Sequence, residues 1–167
     1  MMTIIDGILS RHSVRKFTGE SVKEDDLNII LKAAMAAPSA MNIQPWSFIV
    51  VTDKVIINNL CKALPYAKML DKAGAAIIVC GDSKEGNWVV DCAAATENIL
   101  LAAHALGYGA VWTAVYKYES RIEPVRNECK IPKDIVPLNV IPIGVPLEKN
   151  SKPIDKYKEN KIHKNVW

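Results

Sequence analysis

"WVVDCAAATENILLAAHALG", residues 88–107, decides the reading of the fold. The stretch is rich in Ala and Leu and apolar around most of its circumference, so it predicts a long helix from Trp88 to Leu106 with Gly107 as its left-handed terminator. A helix without a wide polar face belongs at the centre of a fold, covered on several sides. Working outward, "GAVWTAVY" just downstream and "GAAIIVCGD" and "WSFIVV" upstream are short runs rich in aromatic or β-branched residues. The two upstream runs read as buried strands and the downstream run as a third strand. "VPLNVIPIGVP" reads as a fourth, in which Pro137 and Pro142 lack an amide hydrogen and predict an edge position or irregular pairing.

The remaining helices follow from caps and periodicity. Thr3 is a candidate cap for a short opening helix whose Ile4, Ile5, Ile8 and Leu9 share one side. A second helix is expected from about Lys23 to Ala36, with Ser21 as candidate cap, acidic residues in its first turn, and Leu27, Ile30, Leu31, Ala34 and Met35 on one stripe. Pro38 stops it. Further helices are expected around Val55 to Leu64 and, with Pro124 in its first turn, from Glu123 to Lys130. The pattern is one of helices and strands sharing a single layered unit, expected to be one domain over 1–167 with 146–167 as a C-terminal arm.

At 167 residues, half of them hydrophobic and 23% charged, the chain can bury a sizeable core, and its composition excludes disorder. No apolar run approaches the roughly 20 residues of a membrane helix, and the N-terminus lacks the features of a secretory signal. Cys61, Cys80, Cys92 and Cys129 are scattered without metal-ligand spacing and read as reduced core residues of a cytoplasmic protein. The net charge of +3 is a property of the tail, which carries six lysines between Lys149 and Lys164 against Asp155 and Glu159. Basic residues are neither interleaved with aromatics nor set on a reading helix, so no nucleic-acid partner is expected. The tail is either a solvated face or a lid over something anionic.

Two constellations can bind a ligand. In "RHSVRKF", Arg11, Ser13 and Arg15 alternate, so an extended backbone would aim two guanidinium forks and a hydroxyl the same way, a phosphate grip. The alternative is a cationic helix end complementing the helix dipole. In "PSAMNIQPW", Ser39, Asn42 and Gln44 sit between Pro38 and Pro45 with donors and acceptors suited to a planar ring with mixed edges, or else they form an ordinary polar turn. Trp112 and Tyr116 of "GYGAVWTAVY" read as core positions in preference to cofactor contacts. There is no GxGxxG fingerprint, P-loop, GxSxG elbow or HExxH spacing, and no metal site is expected. Chemistry by side chains alone is therefore not expected, and no catalytic side chain is assigned.

In order and spacing, the opening helix with "RHSVRKF", then "APSAMNIQPW", "DCAAATENILLAAHALGYGAVW", "IPIGVP" and "DKYKENKIHKNVW", resemble the short form of the nitroreductase family of FMN-dependent oxidoreductases. The resemblance implies an α+β nitroreductase-like fold with a mixed central sheet flanked by helices. It further implies an intertwined homodimer with C-terminal arm exchange and FMN at the interface. Arg11, His12, Ser13 and Arg15 match cofactor-binding positions at the phosphate and ribityl end. Pro38, Ser39, Ala40, Asn42 and Gln44 match positions around the flavin ring. Trp112, Thr113 and Ala114 match the stretch whose backbone lies along the flavin, and Gly144 the turn closing the region. Lys156, with Lys152 second, matches a phosphate-binding position in the tail. Departures include Ala40 in place of a serine common in relatives, and Lys156 in place of a forked arginine. The implied activity is reduction of small electron-poor acceptors such as nitroaromatics or quinones, with NADH or NADPH as transient hydride donor and the flavin carrying the chemistry. Alternatives within reach of the resemblance are other flavin chemistry (dehalogenation, azoline oxidation, flavin fragmentation) and a flavin-binding protein without turnover.

Overall fold

Strand β2 (Ala75–Asp82) organises the molecule, whose computed structural model describes residues 3–148 and 155–167. Ala75, Ile77 and Val79 point to one face of the sheet and Ala76, Ile78 and Cys80 to the other, and all six are fully buried. A strand apolar on both faces needs a cover on each. On one side α2 (Glu24–Met35) and α4 (Trp88–Ala105) supply Leu27, Ile30, Ala34, Cys92, Ile99 and Ala103. On the other, α3 (Lys54–Ala63) and α5 (Glu119–Cys129) supply Ile57, Leu60, Ile122 and Val125.

The sheet is completed by β1 (Trp46–Val51), β3 (Gly109–Ala110), β4 (Thr113–Ala114) and β5 (Ile135–Gly144), in the order β1-β2-β5-β3 with β4 also on β5. The architecture is α+β, as expected. Every pairing among the described residues is antiparallel, which corrects the expected mixed sheet within this chain. The register gives the reason for the first pair: Val51 faces Ala76, so α3 leaves and re-enters at one end of the sheet and no crossover is made.

Two strands exchange their expected places. The run "WSFIVV" forms the edge strand β1, with Ser47 and Val50 exposed, rather than a fully buried one. The proline-bearing run is the central strand β5. It tolerates its prolines because neither has to donate into a ladder. Pro137 falls at the register shift beside Val79/Cys80, and Pro142 lies where the ladder to β3 and β4 opens between Ala110↔Ile143 and Thr113↔Val140. The expected single strand "GAVWTAVY" is accordingly split into two short pieces.

Helix α4 ends as the sequence predicts. Gly107 has φ of +85°, its N–H donates to His104 O and Tyr108 N–H to Ala103 O, the paired closure of a glycine-terminated helix. Helix α1 (Ile4–Ser10) carries a reciprocal cap between Thr3 and Asp6, while Ile4, Ile5, Ile8 and Leu9 are exposed in this chain. Helix α2 begins after Lys23 rather than on a Ser21 cap, its acidic first turn answering the dipole in place of a capping side chain. Helix α5 starts four residues earlier than expected: Tyr118 O accepts from Arg121 and Ile122 and nucleates the turn, leaving Pro124 inside the helix. Residues 155–167 are exposed throughout, Tyr157, Val166 and Trp167 included.

Candidate functional site

The opening beside Pro142 is the centre of the site. Val111 and Trp112 lie there, between β3 and β4 and outside strand pairing. They floor a cavity of about 470 Å³, within the usual range for small-ligand sites. Thr113 and Ala114 continue the wall, with the Thr113 hydroxyl donating to Val140 O. Arg15 reaches this cavity because its segment is laid along β3: Val14 N–H donates to Ala110 O at 3.0 Å, and Phe17 bridges to Pro146. Gly109 permits that approach, since a Cβ there would lie 2.6 Å from Val14 Cβ.

Sequence reasoning did not single out Tyr66, Lys68, Met69, Val111 and Arg121 of this cavity. Lys68 comes from the short turn Lys68–Lys72 between α3 and β2, where its Nζ donates to Cys61 O at 3.1 Å. Arg121 comes from the first turn of α5. Among the described residues, neither of these cations nor Arg15 has a carboxylate partner, whereas Arg11, Lys16, Lys84 and Arg126 are each paired with one. Three uncompensated cations on one cavity favour an anionic ligand.

The other expected residues divide. Arg11 is drawn away to α4, where its Nε meets Glu97 Oε1 at 2.9 Å, so it does not share a grip with Arg15 in this chain. Ser13 is exposed and lines, with His12, Arg15, Lys16 and Glu148, a neighbouring recess of about 210 Å³. His12 stands edge-on to His104 with ring centroids 6.1 Å apart. Burial, then the neighbouring His12 and Arg11, hold His104 below the ordinary imidazole value, and its Nε2 lies 2.7 Å from Ser10 Oγ. Gly144 is a packing position, a Cβ there meeting the Phe17 ring and the Gly74 backbone at 3.1 Å. Lys156 is exposed; Lys152 lies outside the described residues.

The Pro38–Gln44 turn sits apart from this cavity, anchored on α4 by Ala40 N–H donating to the buried Asp91 carboxylate at 3.2 Å. Part of its polar capacity is spent internally: Ser39 Oγ accepts from Gln44 N–H, and Gln44 Nε2 donates to Asn42 Oδ1. Met41, Asn42 and Gln44 all have φ near +50°, a conformation costing L-residues roughly 1–2 kcal/mol each. That conformation leaves Met41, Asn42 and Gln44 exposed. Three such residues in one exposed turn are the kind of stored strain found at binding sites. Elsewhere, burial pushes the Cys80 and Cys92 thiols up to about 12, which suits core residues and not nucleophiles. No helix among the described residues is long and apolar enough to cross a membrane.

The sequence model of the nitroreductase family matches residues 8–77 and 58–145, most of the chain. The chain belongs to the nitroreductase family. A relative from Methanothermobacter thermautotrophicus, named "Putative NADH dehydrogenase/NAD(P)H nitroreductase", is 43% identical over 170 residues, covering 99% of this chain and 88% of the relative. A solved structure of the same name from Bacteroides thetaiotaomicron is 47% identical with a TM-score of 0.96 over 98% of both chains. An FMN-dependent nitroreductase from Clostridium difficile is 31% identical with a TM-score of 0.92, covering 98% of this chain and 99% of that one. The fold of this family member is therefore shared along nearly its whole length, the opening at Pro142 and the cations around it lying inside the shared region.

Proposed function

We propose that this nitroreductase is an FMN-dependent NAD(P)H oxidoreductase that reduces electron-poor acceptors such as nitroaromatics or quinones. The observation that carries the reading is the convergence of Arg15, Lys68 and Arg121, none with a carboxylate partner among the described residues, on the cavity floored by Val111 and Trp112. These residues fit FMN: cations for its phosphate and for the electron-rich reduced ring, and a flat aromatic and peptide surface for its plane. When bound, FMN would supply the redox chemistry between NADH or NADPH and the acceptor. Arg15 and Ser13 hold the phosphate end; Lys68 supplies positive potential; Trp112 keeps water from one side of the ring. The names of an FMN-dependent relative and of an FMN reductase (NADPH) from Bacillus subtilis, 23% identical over the full chain, support the cofactor assignment.

We further propose a homodimer in which a second copy brings the Pro38–Gln44 turn to this cavity, with Asn42 and Gln44 reading the ring edge and the arm 146–167 carrying Lys156 to the same region. Support comes from the separation of the two constellations in one chain and from the exposed Ile4, Ile5, Ile8 and Leu9 of α1. Anaerobic titration of the purified protein with FMN, followed by rapid mixing with NADH or NADPH and then a quinone, tests the assignment. FMN uptake followed by nucleotide bleaching and quinone reoxidation is the expected outcome. A protein that takes up no FMN, or whose flavin neither nucleotide reduces, overturns it, and a single-copy sedimenting species with full FMN affinity overturns the shared site.

A further inference from the structure

Arg121 differs from Arg126, the other arginine of its helix, and although it adds positive charge to the cavity, no individual flavin contact is assigned to it above. Arg126, on the same helix, is used up structurally: it donates to Ile131, Pro132 and Ile135 carbonyls and pairs with Glu123. Arg121 donates to one carbonyl, Ala114 O at 3.1 Å, and its guanidinium lies over two exposed rings, 4.0 Å from the Tyr118 centroid and 5.2 Å from that of Tyr66. Its plane is thus fixed by a ring contact and by the strand next to Trp112. Of the five donors a guanidinium carries, the described residues engage one. A fork held rigidly, without a carboxylate, on the wall of a ligand cavity is pre-organised for a planar anion.

We infer that Arg121, set against Tyr66 and Tyr118, selects planar aromatic acceptors that bear a carboxylate or sulfonate beside the ring. The inference deepens the reading of the cavity as a flavin site and rests on it for the reaction, though not for the binding. The anionic group pairs with the fork of Arg121 on the cavity wall, while the attached ring extends into the cavity beside Tyr66, leaving the Trp112 surface to the flavin plane. Tyr66 and Tyr118 are themselves exposed, so their contribution is to orient the guanidinium and not to bury the pair.

The test is equilibrium binding of 2-naphthoate and its neutral analogue 2-naphthamide, followed by calorimetry on the protein as purified. The carboxylate is expected to bind about tenfold tighter than the amide, a value set by a charge-assisted contact at a partly exposed site. Arg121→Gln should bring the ratio to about one, and Arg121→Lys, which keeps the charge but not the fork, should retain part of it. In the FMN-loaded enzyme the same ratio should appear in kcat/KM for 4-nitrobenzoate over 4-nitrobenzamide, expressed in KM. Equal binding of the two probes by the wild type overturns the inference. So does a ratio that survives in Arg121→Gln, or one that is lost only in Arg15→Ala, which would place the anion on the phosphate end. Should Arg121→Gln not fold, Arg121→Lys and Tyr118→Ala still decide, each being required to lower the ratio. A protein that takes up no FMN yet discriminates the probes refutes the flavin reading and upholds this one; an FMN-binding protein that does not discriminate refutes this one alone.

Discussion

Gly109→Ala is the substitution that most directly links packing to function. A Cβ at residue 109 would stand 2.6 Å from both Cβ and Cγ1 of Val14 and 3.0 Å from its Cγ2. Carbon pairs rest at about 3.5–4.0 Å, so relief needs a displacement on the order of 1 Å. Rotation of the Val14 side chain cannot supply it, because Val14 Cβ itself is in the way; the backbone has to move. That motion breaks the 3.0 Å hydrogen bond from Val14 N–H to Ala110 O and carries the adjacent Arg15 off the cavity wall. Overpacking and the lost bond together cost about 2–4 kcal/mol, roughly 5–15 °C in Tm for a chain of this length. Calorimetry and flavin-fluorescence titration should show both the lower Tm and a weaker FMN affinity. Gly86→Ala, where a Cβ meets nothing within 4 Å, is the control and should change Tm by little. Adding Val14→Gly to Gly109→Ala should recover at least 1 kcal/mol of coupling, on the order expected for residues in contact. If Gly109→Ala matches the Gly86 control in both Tm and FMN affinity, the argument that this glycine seats the Arg15 segment is wrong.

Three other outcomes are expected. Arg15→Ala should raise the FMN dissociation constant about tenfold, the low end for a charge-assisted bond because the side chain is exposed; unchanged FMN affinity removes Arg15 from the site. Thr96→Val leaves the buried Asn139 Nδ2, now 2.9 Å from Thr96 Oγ1, without its acceptor beside an Asn139 Oδ1 that has no partner among the described residues. Urea unfolding should show a loss of about 1–3 kcal/mol, largely restored when Asn139→Leu is added. His104 titrates below its ordinary value of 6.5, so the folded state binds fewer protons than the unfolded one as pH falls through that value. The His104 contribution is therefore fully present above about 6.5 and lost as pH drops toward the depressed folded value; Tm against pH should slope less steeply there in His104→Gln.

The helices were legible because their information is local. The spacing of Leu27, Ile30 and Ala34, the run before Gly107 and the Thr3–Asp6 cap each decide a turn or two of backbone on their own. The apolar side of α1 was legible as a side, while what covers it was not, since periodicity names a face and never its partner. Strand positions failed for a related reason. An apolar run signals a strand, yet the exposure of β1 on its outer edge depends on which neighbours the chain brings back, and that is settled by the whole sheet.

The same distinction runs through the site. Arg15, Trp112, Thr113 and Ala114 could be proposed from motifs, and the structure brings them to one cavity; Pro38–Gln44 could be proposed equally well, and one chain keeps it apart. Lys68 and Arg121 carried no signal, because neither has a neighbour in sequence that marks it: 53 positions apart, they meet through α3 and α5 packing on one face of the sheet. Pro142 shows how a legible residue can still be misread. Its missing N–H says that one hydrogen bond cannot form, and an edge strand is the commonest way to satisfy that. Here β5 is central, and the unformed bond is instead on the side of Val111 and Trp112, opening the ladder where a ligand can lie against the main chain. A residue that would weaken an ordinary central strand has been placed where the gap it makes is the floor of the site.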